Sequence, residues 1–478
     1  MLEETGRARS LGARGTAMST QVSSTPPVKK RAVSVVEKQL ARIEELAEKK
    51  AAELEAANYE KYSALFDIAI AYFKKKPVLM YGGTAINDLL PERLKFYGEK
   101  VLPDLDVFVT EDRVEAIAQG LVNEYTAKGY DLAAYKPALH ENTLKVYAQG
   151  VQVADVSGVP RKAYATLRKG SVRSSLGIPL VNTAFLRWSL HAMLAQPYDS
   201  HRWKKVYERI VAFYQVYPPA ACDAAKAMSV PAAGVGVSAA ERAVAGDIHA
   251  GVARFVKSNG LVMFGFDAVR LFLPGQFRED AVAASSQPMF NLLVAEEPRA
   301  MAYELVKALR ARAKEARAGE AGAAARSLSD PAVFRVSAVY PGDAFVPDHV
   351  IVYYKKRPIA ALYHSESCMS FVPVRGFRIA SLQTIIRMYM ALMLSAHEHH
   401  KKEQPACVAN ALSWLHLKLV KSPSRRKLLE QFVLTCYGEG VGRFTLRRRM
   451  LERAAFAAAE AEGRAPGQLA PPVSLASS

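Results

Sequence analysis

The chain has 478 residues, of which 50% are hydrophobic and 23% are charged. This composition is typical of a globular protein and excludes a disordered or fibrous chain, while the length predicts two or three domains. There are 64 Lys and Arg residues against 46 Asp and Glu residues, and the resulting net charge of +18 favours a polyanionic partner such as nucleic acid without establishing one.

The N-terminal 58 residues divide into a tail and a helix. Residues 1–32 mix Gly, Ser, Thr, Pro and basic residues without periodicity, which predicts a disordered basic tail. Residues 33–58 carry apolar side chains at helical spacing in a charged background, which predicts an amphipathic helix. We expect this helix to lie on the following domain, and a coiled-coil dimer is the alternative, which the shortage of heptads disfavours. The apolar positions are Val36, Leu40, Ile43, Leu46 and Leu54.

Residues 59–217 alternate between helices and strands and predict a mixed α/β domain. A short buried strand at 78–81 ends at Gly82-Gly83, and Thr84 can cap the next helix. Gln149-Gly150 predicts the turn of a β-hairpin. The predicted helices cover residues 64–73, 85–90, 113–126, 184–196 and 202–214, and the other predicted strands cover residues 105–109, 143–147 and 151–156.

The rest of the chain predicts a linker, a second domain and a tail. Residues 218–250 form an Ala, Pro and Gly-rich connection, and residues 251–460 form a second domain with added helices. Within it, the low-complexity stretch from Ala311 to Ser329 predicts a surface insertion or a mobile helix end. Residues 461–478 predict a second disordered tail.

Cysteine usage and hydropathy bear on the compartment. The four cysteines, Cys222, Cys368, Cys407 and Cys436, stand far apart without a CxxC pair, so we expect neither a zinc site nor a disulfide framework, and a reducing compartment fits best. The N-terminus has no apolar signal core, and the most apolar helix is too short to span a membrane. The protein is therefore predicted to be soluble.

Three carboxylates predict a metal site. Asp104 and Asp106 are separated by one residue on a predicted strand, so their side chains leave the same face. Asp155 is the lone acidic residue of a strand expected beside it. Nucleotidyl transfer requires two divalent cations, one lowering the pKa of the attacking hydroxyl and one neutralising the leaving pyrophosphate, and Mg²⁺ and Mn²⁺ prefer oxygen ligands. The three residues therefore predict a metal-dependent nucleotidyltransferase.

The glycine turn before these carboxylates predicts the binding site of a triphosphate. Gly82 and Gly83 allow a close backbone approach, and the helix that follows offers amide donors and a favourable dipole end. Thr84 can add a hydroxyl donor. A Gly-Gly turn or a DxD motif is a weak signal alone, but their order and spacing together are specific.

At this point the sequence resembles a known family. The segments Tyr81-Gly-Gly-Thr-Ala-Ile-Asn87, Leu94-Lys-Phe-Tyr97 and Leu102-Pro-Asp-Leu-Asp106 are similar to polymerase-beta-type nucleotidyltransferases, and specifically to poly(A) polymerase catalytic subunits of poxviruses and other large DNA viruses. Further similarity to the giant-virus branch, expected to lie outside the active site, is carried by His201-Arg-Trp-Lys-Lys-Val-Tyr-Glu-Arg209, Ile379-Ala-Ser-Leu-Gln-Thr384 and Cys436-Tyr-Gly438.

The resemblance implies a function and a set of ligands. Asp104, Asp106 and Asp155 would hold two Mg²⁺ or Mn²⁺ ions, Gly82, Gly83 and Thr84 would hold the triphosphate of ATP, and Asn87 would support that turn. The implied reaction is the addition of AMP from ATP to an RNA 3′ end, in host cytoplasm or a virion. A homodimer or a processivity subunit is the implied partner. Two alternatives remain, namely a uridylyl- or CCA-adding enzyme and a non-catalytic RNA-binding subunit.

A second copy of the same pattern follows in the C-terminal half. Residues 263–273 echo residues 80–90, residues 289–297 echo residues 104–112, and residues 352–361 echo the hairpin residues 146–155. In this pairing Met289, Asn291 and Ala361 stand where the three carboxylates stand in the first copy. The predicted fold class is therefore α/β (α+β), with a nucleotidyltransferase fold followed by a degenerate copy that has lost the metal ligands.

Two further clusters allow competing interpretations. Arg161, Lys162, Arg168, Lys169 and Arg173 follow the third carboxylate strand and are either a solvated loop or a contact for RNA phosphates. The run His397-Glu-His-His400 resembles a metal site, but adjacent histidines point to different faces of a helix, and two lysines follow as at an exposed helix end. We therefore expect no metal there. Trp188, Tyr353 and Tyr354 are expected to pack in the core.

Overall fold

A computed structural model describes residues 35–222, 239–272, 290–318, 333–365, 367–421 and 432–438, together with 445, 447, 448, 450 and 451. The chain forms two compact units, residues 1–56 and residues 57–478. Both predicted tails, 1–32 and 461–478, lie outside the described residues. So do residues 223–238 of the predicted connection and residues 319–329 of the predicted insertion.

The first described element is a helix, α1, which runs without a break from Val35 to Phe73. The sequence predicted two helices here, and the structure joins them because residues 58–64 contain neither Gly nor Pro to end the first one. Its predicted apolar positions within the first unit are 54 to 62% exposed. The choice between packing on the following domain and a coiled coil therefore stays a prediction.

The second unit begins with a five-stranded sheet. Its strands are β1 (Leu79–Tyr81), β2 (Asp106–Thr110), β3 (Ala133–Pro137), β4 (Thr143–Ala148) and β5 (Val151–Val159), in the order β1-β2-β5-β4-β3. β2 and β5 run parallel, and the other neighbours are antiparallel. The hairpin β4–β5 confirms the prediction, because Gln149 and Gly150 both have positive φ as a tight hairpin turn requires. β3 was not predicted, because its side chains are mostly exposed and lack an apolar alternation.

Helices cover this sheet and extend from it. They are α2 (Gly82–Asp88), α3 (Val114–Ala127), α4 (Arg161–Arg168), α5 (Thr183–Leu194) and α6 (Trp203–Val216). The core between α3 and the sheet contains Leu121, Tyr125, Val107 and Val156, all fully buried. The predicted bounds of α3, α5 and α6 agree with the structure to within two residues. α2 begins three residues earlier than predicted, at the glycine turn itself.

The second sheet has eight strands. They are β6 (Val262–Met263), β7 (Phe290–Val294), β8 (Phe334–Val336), β9 (His349–Tyr354), β10 (Arg357–His364), β11 (Met369–Val374), β12 (Phe377–Ala380) and β13 (Cys436–Tyr437), in the order β13-β11-β12-β6-β7-β10-β9-β8. The described helices of this half are α7 (Ala239–Ser258), α8 (Phe266–Phe272), α9 (Pro298–Ala318), α10 (Leu382–Leu394) and α11 (Pro405–Lys421). α7 starts inside the stretch that was predicted to be a connection.

Five strands of the second sheet repeat the first sheet. The order β6-β7-β10-β9-β8 matches β1-β2-β5-β4-β3, and each neighbouring pair has the same relative direction. The register matches as well, because Asn291 lies opposite Ala361 where Asp106 lies opposite Asp155. The predicted internal repeat is therefore confirmed for these positions, while Met289 lies outside the described residues.

A buried polar network joins the two halves of the second unit. His191 on α5 contacts Gln383 on α10 through Nδ1 at 2.8 Å and Tyr214 on α6 through Nε2 at 2.8 Å. The amide Nε2 of Gln383 donates to Nδ1 of His416 on α11 at 2.9 Å. Because the carbonyl of Gln383 only accepts, Nδ1 of His191 is the protonated nitrogen. Gln383 belongs to one of the family-like segments, which the structure thus places in the core.

The cysteines correct one expectation. All four form disulfides, Cys222 with Cys407 and Cys368 with Cys436, at Cα separations of 5.5 and 5.2 Å. The partners are 185 and 68 residues apart, so sequence spacing did not reveal them. The predicted reducing compartment therefore no longer follows from cysteine usage. Among the described residues, no helix is both long and apolar enough to cross a membrane.

Candidate active site

Two of the three predicted carboxylates face each other across the parallel strands β2 and β5. Asp106 is the first residue of β2 and lies directly opposite Asp155. Asp104 belongs to the loop just before β2 rather than to the strand, and its backbone carbonyl accepts a hydrogen bond from the amide of Asp106 at 3.1 Å. The structure therefore brings the predicted carboxylates together, although the two-residue alternation that suggested their common face does not apply to Asp104.

Burial and neighbouring charges perturb two of these carboxylates, Asp104 and Asp106. Burial raises the pKa of Asp106 to about 8, and the charges of Asp104 and Asp155 add to the rise. The pKa of Asp104 is also raised, first by partial loss of hydration and then by Asp155. Lys145 and Arg202 oppose the rise at Asp106. Such a cluster favours protonation or a bound cation, because carboxylates this close repel one another when all are ionised.

Asp155 is held by two neighbours. Lys145 lies directly opposite it on β4, and its Nζ is 2.7 Å from Oδ2 and 3.0 Å from Oδ1. Nε2 of Gln152 donates to Oδ1 at 2.7 Å. Lys145 fixes the orientation of Asp155 and offsets part of the negative charge. Lys145 was not predicted as a site residue, because the hairpin turn alone would place it opposite Ala154, and a register shift between Val146 and Tyr147 moves it opposite Asp155.

Both glycines of the turn leave room for functional side chains. Gly82 has φ +77°, and a Cβ there would collide with the carboxylate of Asp106. A Cβ on Gly83 would lie 2.6 Å from Oη of Tyr97 and 3.1 Å from Nη1 of Arg209. The turn therefore excludes larger residues for two reasons, backbone conformation at Gly82 and close side-chain contact at both positions.

Thr84, which was predicted to hold the triphosphate, and Asn87, which was predicted to support the turn, both position loops. Oγ1 of Thr84 accepts a hydrogen bond from the backbone amide of Asp104 at 2.9 Å, and the helix is preceded by Tyr81, so the predicted role of Thr84 as helix cap is wrong. Oδ1 of Asn87 accepts from the amides of Phe96 and Tyr97 at 2.8 and 3.0 Å. Thr84 thus fixes the backbone of a carboxylate, and Asn87 fixes the loop that approaches the glycine turn.

Arg209 on α6 completes this side of the site. Its Nη2 donates to Oη of Tyr97 at 2.8 Å, and its guanidinium lies 4.4 Å from the centre of the Phe96 ring. The side chain is buried beside Gly83. The positive charges of Arg209 and Lys205 oppose the rise in the pKa of Asp104. The segment 201–209 was expected outside the active site, and the structure corrects this.

The predicted basic cluster begins at the other end of the carboxylate strands. β5 continues four residues beyond Asp155, roughly 13 Å, before α4 starts at Arg161. Arg161 pairs with Asp112 at 3.1 Å, and Nη1 of Arg173 donates to the carbonyl of Gly177 at 2.8 Å. Neither contact involves the carboxylates. Lys162 and Arg168 belong to α4, and Lys169 follows it, so proximity to the three carboxylates no longer supports an RNA role for this cluster.

Part of this chain is similar in sequence to known proteins. Residues 67–200 match the family model described as poly(A) polymerase catalytic subunit. Two relatives, provisionally named poly(A) polymerase catalytic subunits, come from African swine fever virus isolates from Kenya and Malawi and are 27 and 26% identical over 162 residues. Each match covers 34% of this chain and 33% of the relative, so it spans about a third of the length of either protein.

A solved structure resembles nearly the whole chain. The Megavirus polyadenylate synthase superposes with a TM-score of 0.65 over 95% of this chain and 87% of that chain, at 19% sequence identity. This likeness shows the fold. The predicted resemblance to viral poly(A) polymerase catalytic subunits is confirmed within residues 67–200, which contain all three carboxylates and the glycine turn.

Proposed function

We propose that this protein is a template-independent polynucleotide adenylyltransferase that adds AMP from ATP to RNA 3′ ends and releases pyrophosphate. The observation that carries the proposal is the meeting of Asp104, Asp106 and Asp155 beside the turn at Gly82 and Gly83. A glycine turn that leads into a helix suits a triphosphate, and clustered carboxylates suit the cations that accompany it.

The donor set fits Mg²⁺ or Mn²⁺. It consists of carboxylate oxygens, and burial together with the neighbouring negative charges raises the pKa of Asp104 and Asp106, which a bound cation would offset. Asp104 and Asp106 would hold both ions, and Asp155 would help to hold the first. When bound, the ions supply Lewis-acid activation of the 3′ hydroxyl and neutralisation of the leaving pyrophosphate.

The chain's own residues orient and bind the reactants. Thr84 holds the backbone of Asp104, and Lys145 holds Asp155. Arg209 lies beside Gly83, where its guanidinium can bind phosphate oxygens of the nucleotide. The net charge of +18 attracts RNA, so we expect affinity for RNA to fall steeply with salt. Phosphate contacts by the basic residues 161–173 remain part of this proposal.

Template-independent addition of a single nucleotide type is the direct test. A short RNA is incubated with the protein, Mn²⁺ or Mg²⁺, and each NTP separately, and products are resolved by length. We expect long tails with ATP alone. Asp104→Ala and Asp106→Ala should each reduce incorporation by at least about a thousandfold, consistent with loss of a metal ligand. The exposed Asp131, changed to Ala, is the matched control and should leave tailing unchanged.

Other outcomes point to other functions. Tailing with UTP would indicate a uridylyl-adding enzyme, and completion of a CCA end would indicate a CCA-adding enzyme, rather than an enzyme specific for ATP. RNA binding without incorporation of any NTP would indicate a non-catalytic RNA-binding subunit. Normal tailing by either carboxylate variant would overturn the assignment of the site. Mass measurement in solution, with and without RNA, separates a homodimer from a protein that needs a processivity subunit.

A further inference from the structure

A group of histidines meets at the start of β9 in the second sheet. His349 is the first residue of β9, and His399 and His400 lie in the 3-10 turn Glu398–Glu403 between α10 and α11. His349 and His400 are both fully buried. The sequence predicted an exposed helix end without a metal at this turn. Glu398 and Lys401 are exposed, but His400 is buried, and the fold brings in His349 from 50 residues away.

The imidazole nitrogens of this group converge. Nε2 of His349 lies 2.9 Å from Nε2 of His399, and ligand nitrogens of His349, His399 and His400 all lie within 4.8 Å of one another. Tetrahedral Zn²⁺ with bonds of 2.0–2.1 Å places its nitrogen ligands about 3.3 Å apart. The separation of 2.9 Å lies just below that value and no pair is farther apart than 4.8 Å, so small side-chain rotations suffice to surround an ion.

The tautomers leave lone pairs available. Nδ1 of His349 lies 3.1 Å from the carbonyl oxygen of Pro347, and since a carbonyl only accepts, Nδ1 carries the proton and Nε2 presents its lone pair toward His399. A backbone carbonyl that receives the other ring N–H is the usual support of a histidine ligand. Nδ1 of His400 is buried without a hydrogen-bond partner, while its Nε2 lies 3.2 Å from Oη of Tyr363.

The carboxylate oxygens of Asp343, which acts electrostatically on His349, already accept hydrogen bonds from other groups. Oδ1 of Asp343 accepts from the amides of Phe345 and Val346, and its Oδ2 accepts from Ser395 and the amide of Ala396. The donor set is therefore nitrogen rather than oxygen. Imidazole ligands suit Zn²⁺ and related transition metals, whereas Mg²⁺ and Ca²⁺ prefer oxygen.

We propose that His349, His399 and His400 bind a single transition-metal ion of the Zn²⁺ class. Three protein ligands leave one coordination position for water. Burial and the neighbouring histidines lower the pKa of His349 to about 4 and that of His400 to about 2, so both rings are neutral at physiological pH, as metal binding requires. The ion would tie the turn between α10 and α11 to β9, and so connect the helical layer to the degenerate sheet.

Metal content and its sensitivity to substitution test the proposal. The protein is purified with a tag that contains no histidine, passed through gel filtration in metal-free buffer, and analysed by elemental mass spectrometry. We expect about one zinc per chain in the wild type and at least a tenfold loss in His349→Gln and His399→Gln. His140→Gln removes an exposed histidine and should retain the ion. Asp106→Asn should retain it too, which separates this site from the carboxylates.

A second measurement remains decisive if the variants do not fold. The wild-type protein is stripped with a zinc chelator and titrated with Co²⁺ in excess Mg²⁺, which competes for the carboxylates. We expect intense visible d–d absorption of four-coordinate cobalt that saturates at about one equivalent and is displaced by Zn²⁺. Weak octahedral absorption, together with wild-type zinc far below one equivalent per chain, would overturn the proposal and leave a metal-free histidine hydrogen bond between β9 and the turn.

Discussion

Neutralising Asp106 should stabilise the metal-free protein while abolishing its chemistry. The pKa of Asp106 rises from 3.8 to about 8 on folding, so at pH 7 the folded protein must hold a proton that the unfolded chain has released. The interval between the unfolded pKa of 3.8 and pH 7 is about three pH units. At about 1.36 kcal/mol per unit, holding this proton destabilises the folded protein by about 4 kcal/mol at pH 7. This is an upper limit, because Asp104 and Asp155 share the unfavourable charge.

Asp106→Asn removes this cost, because an amide is neutral in both states. The expected gain is about 2 to 4 kcal/mol, which for a protein of this size corresponds to a rise in Tm of about 2 to 4 °C with EDTA present. Because the folded pKa is raised, the gain is absent below about pH 4, grows as the pH rises, and is complete above about pH 8.

Thermal unfolding with and without Mn²⁺ is the assay. Mn²⁺ should raise the Tm of the wild type more than that of Asp106→Asn, because the variant has lost a ligand. The difference in Tm between the two proteins should therefore shrink or change sign when Mn²⁺ is added. Asp131→Asn, an exposed control, should show neither the pH dependence nor the reversal. A variant that is less stable than the wild type in EDTA at pH 8 would refute the reasoning.

Three other predictions concern the turn and the core. Gly82→Ala should reduce tailing by about a hundredfold at unchanged circular dichroism, because its Cβ meets a carboxylate at positive φ, whereas Gly98→Ala, with open space around it, should be neutral in the same assay. Gln383→Leu should cost about 2 to 4 kcal/mol in chemical denaturation by leaving two buried partners unsatisfied, and the exposed Gln119→Leu should cost little. Burial lowers the pKa of His191 to about 3, so stability should fall between pH 6.5 and 3, less so in His191→Asn.

Short sequence patterns were enough to predict most of the first sheet and the candidate site. The Gly-Gly turn, the Asp-Leu-Asp segment and the hairpin turn are signals within a few residues of one another, and each fixes a backbone conformation or a register. Asp155 was predicted as a third ligand because it is the only acidic residue of a strand expected beside the Asp-Leu-Asp segment, and the structure places it directly opposite Asp106. The same reasoning, applied to the second copy, predicted which residues replace the carboxylates.

Residues brought in by tertiary packing could not be predicted in this way. Arg209 meets Tyr97 across 112 residues, and His349 meets His399 across 50. Periodicity shows which face of a helix is buried, but not which loop or strand that face meets. The role of a histidine is the hardest to predict, because the sequence does not show whether its imidazole is buried and neutral or exposed and charged. Burial of His400 follows from the path of the chain after α10 rather than from its neighbours in sequence.

The two copies differ in access as well as in charge. Asp155 retains 18% of its side-chain exposure, whereas Asn291 and Ala361, the counterparts of Asp106 and Asp155, are almost completely buried. Carboxylates at these two positions would be buried, so the neutral residues avoid the cost of burying charge. The second copy instead carries histidine ligands at the start of β9. His349 on β9 pairs with Tyr363 on β10 two residues beyond Ala361, and the nitrogen-bound ion proposed there would stabilise the sheet without competing for the oxygen-bound ions proposed for the first copy.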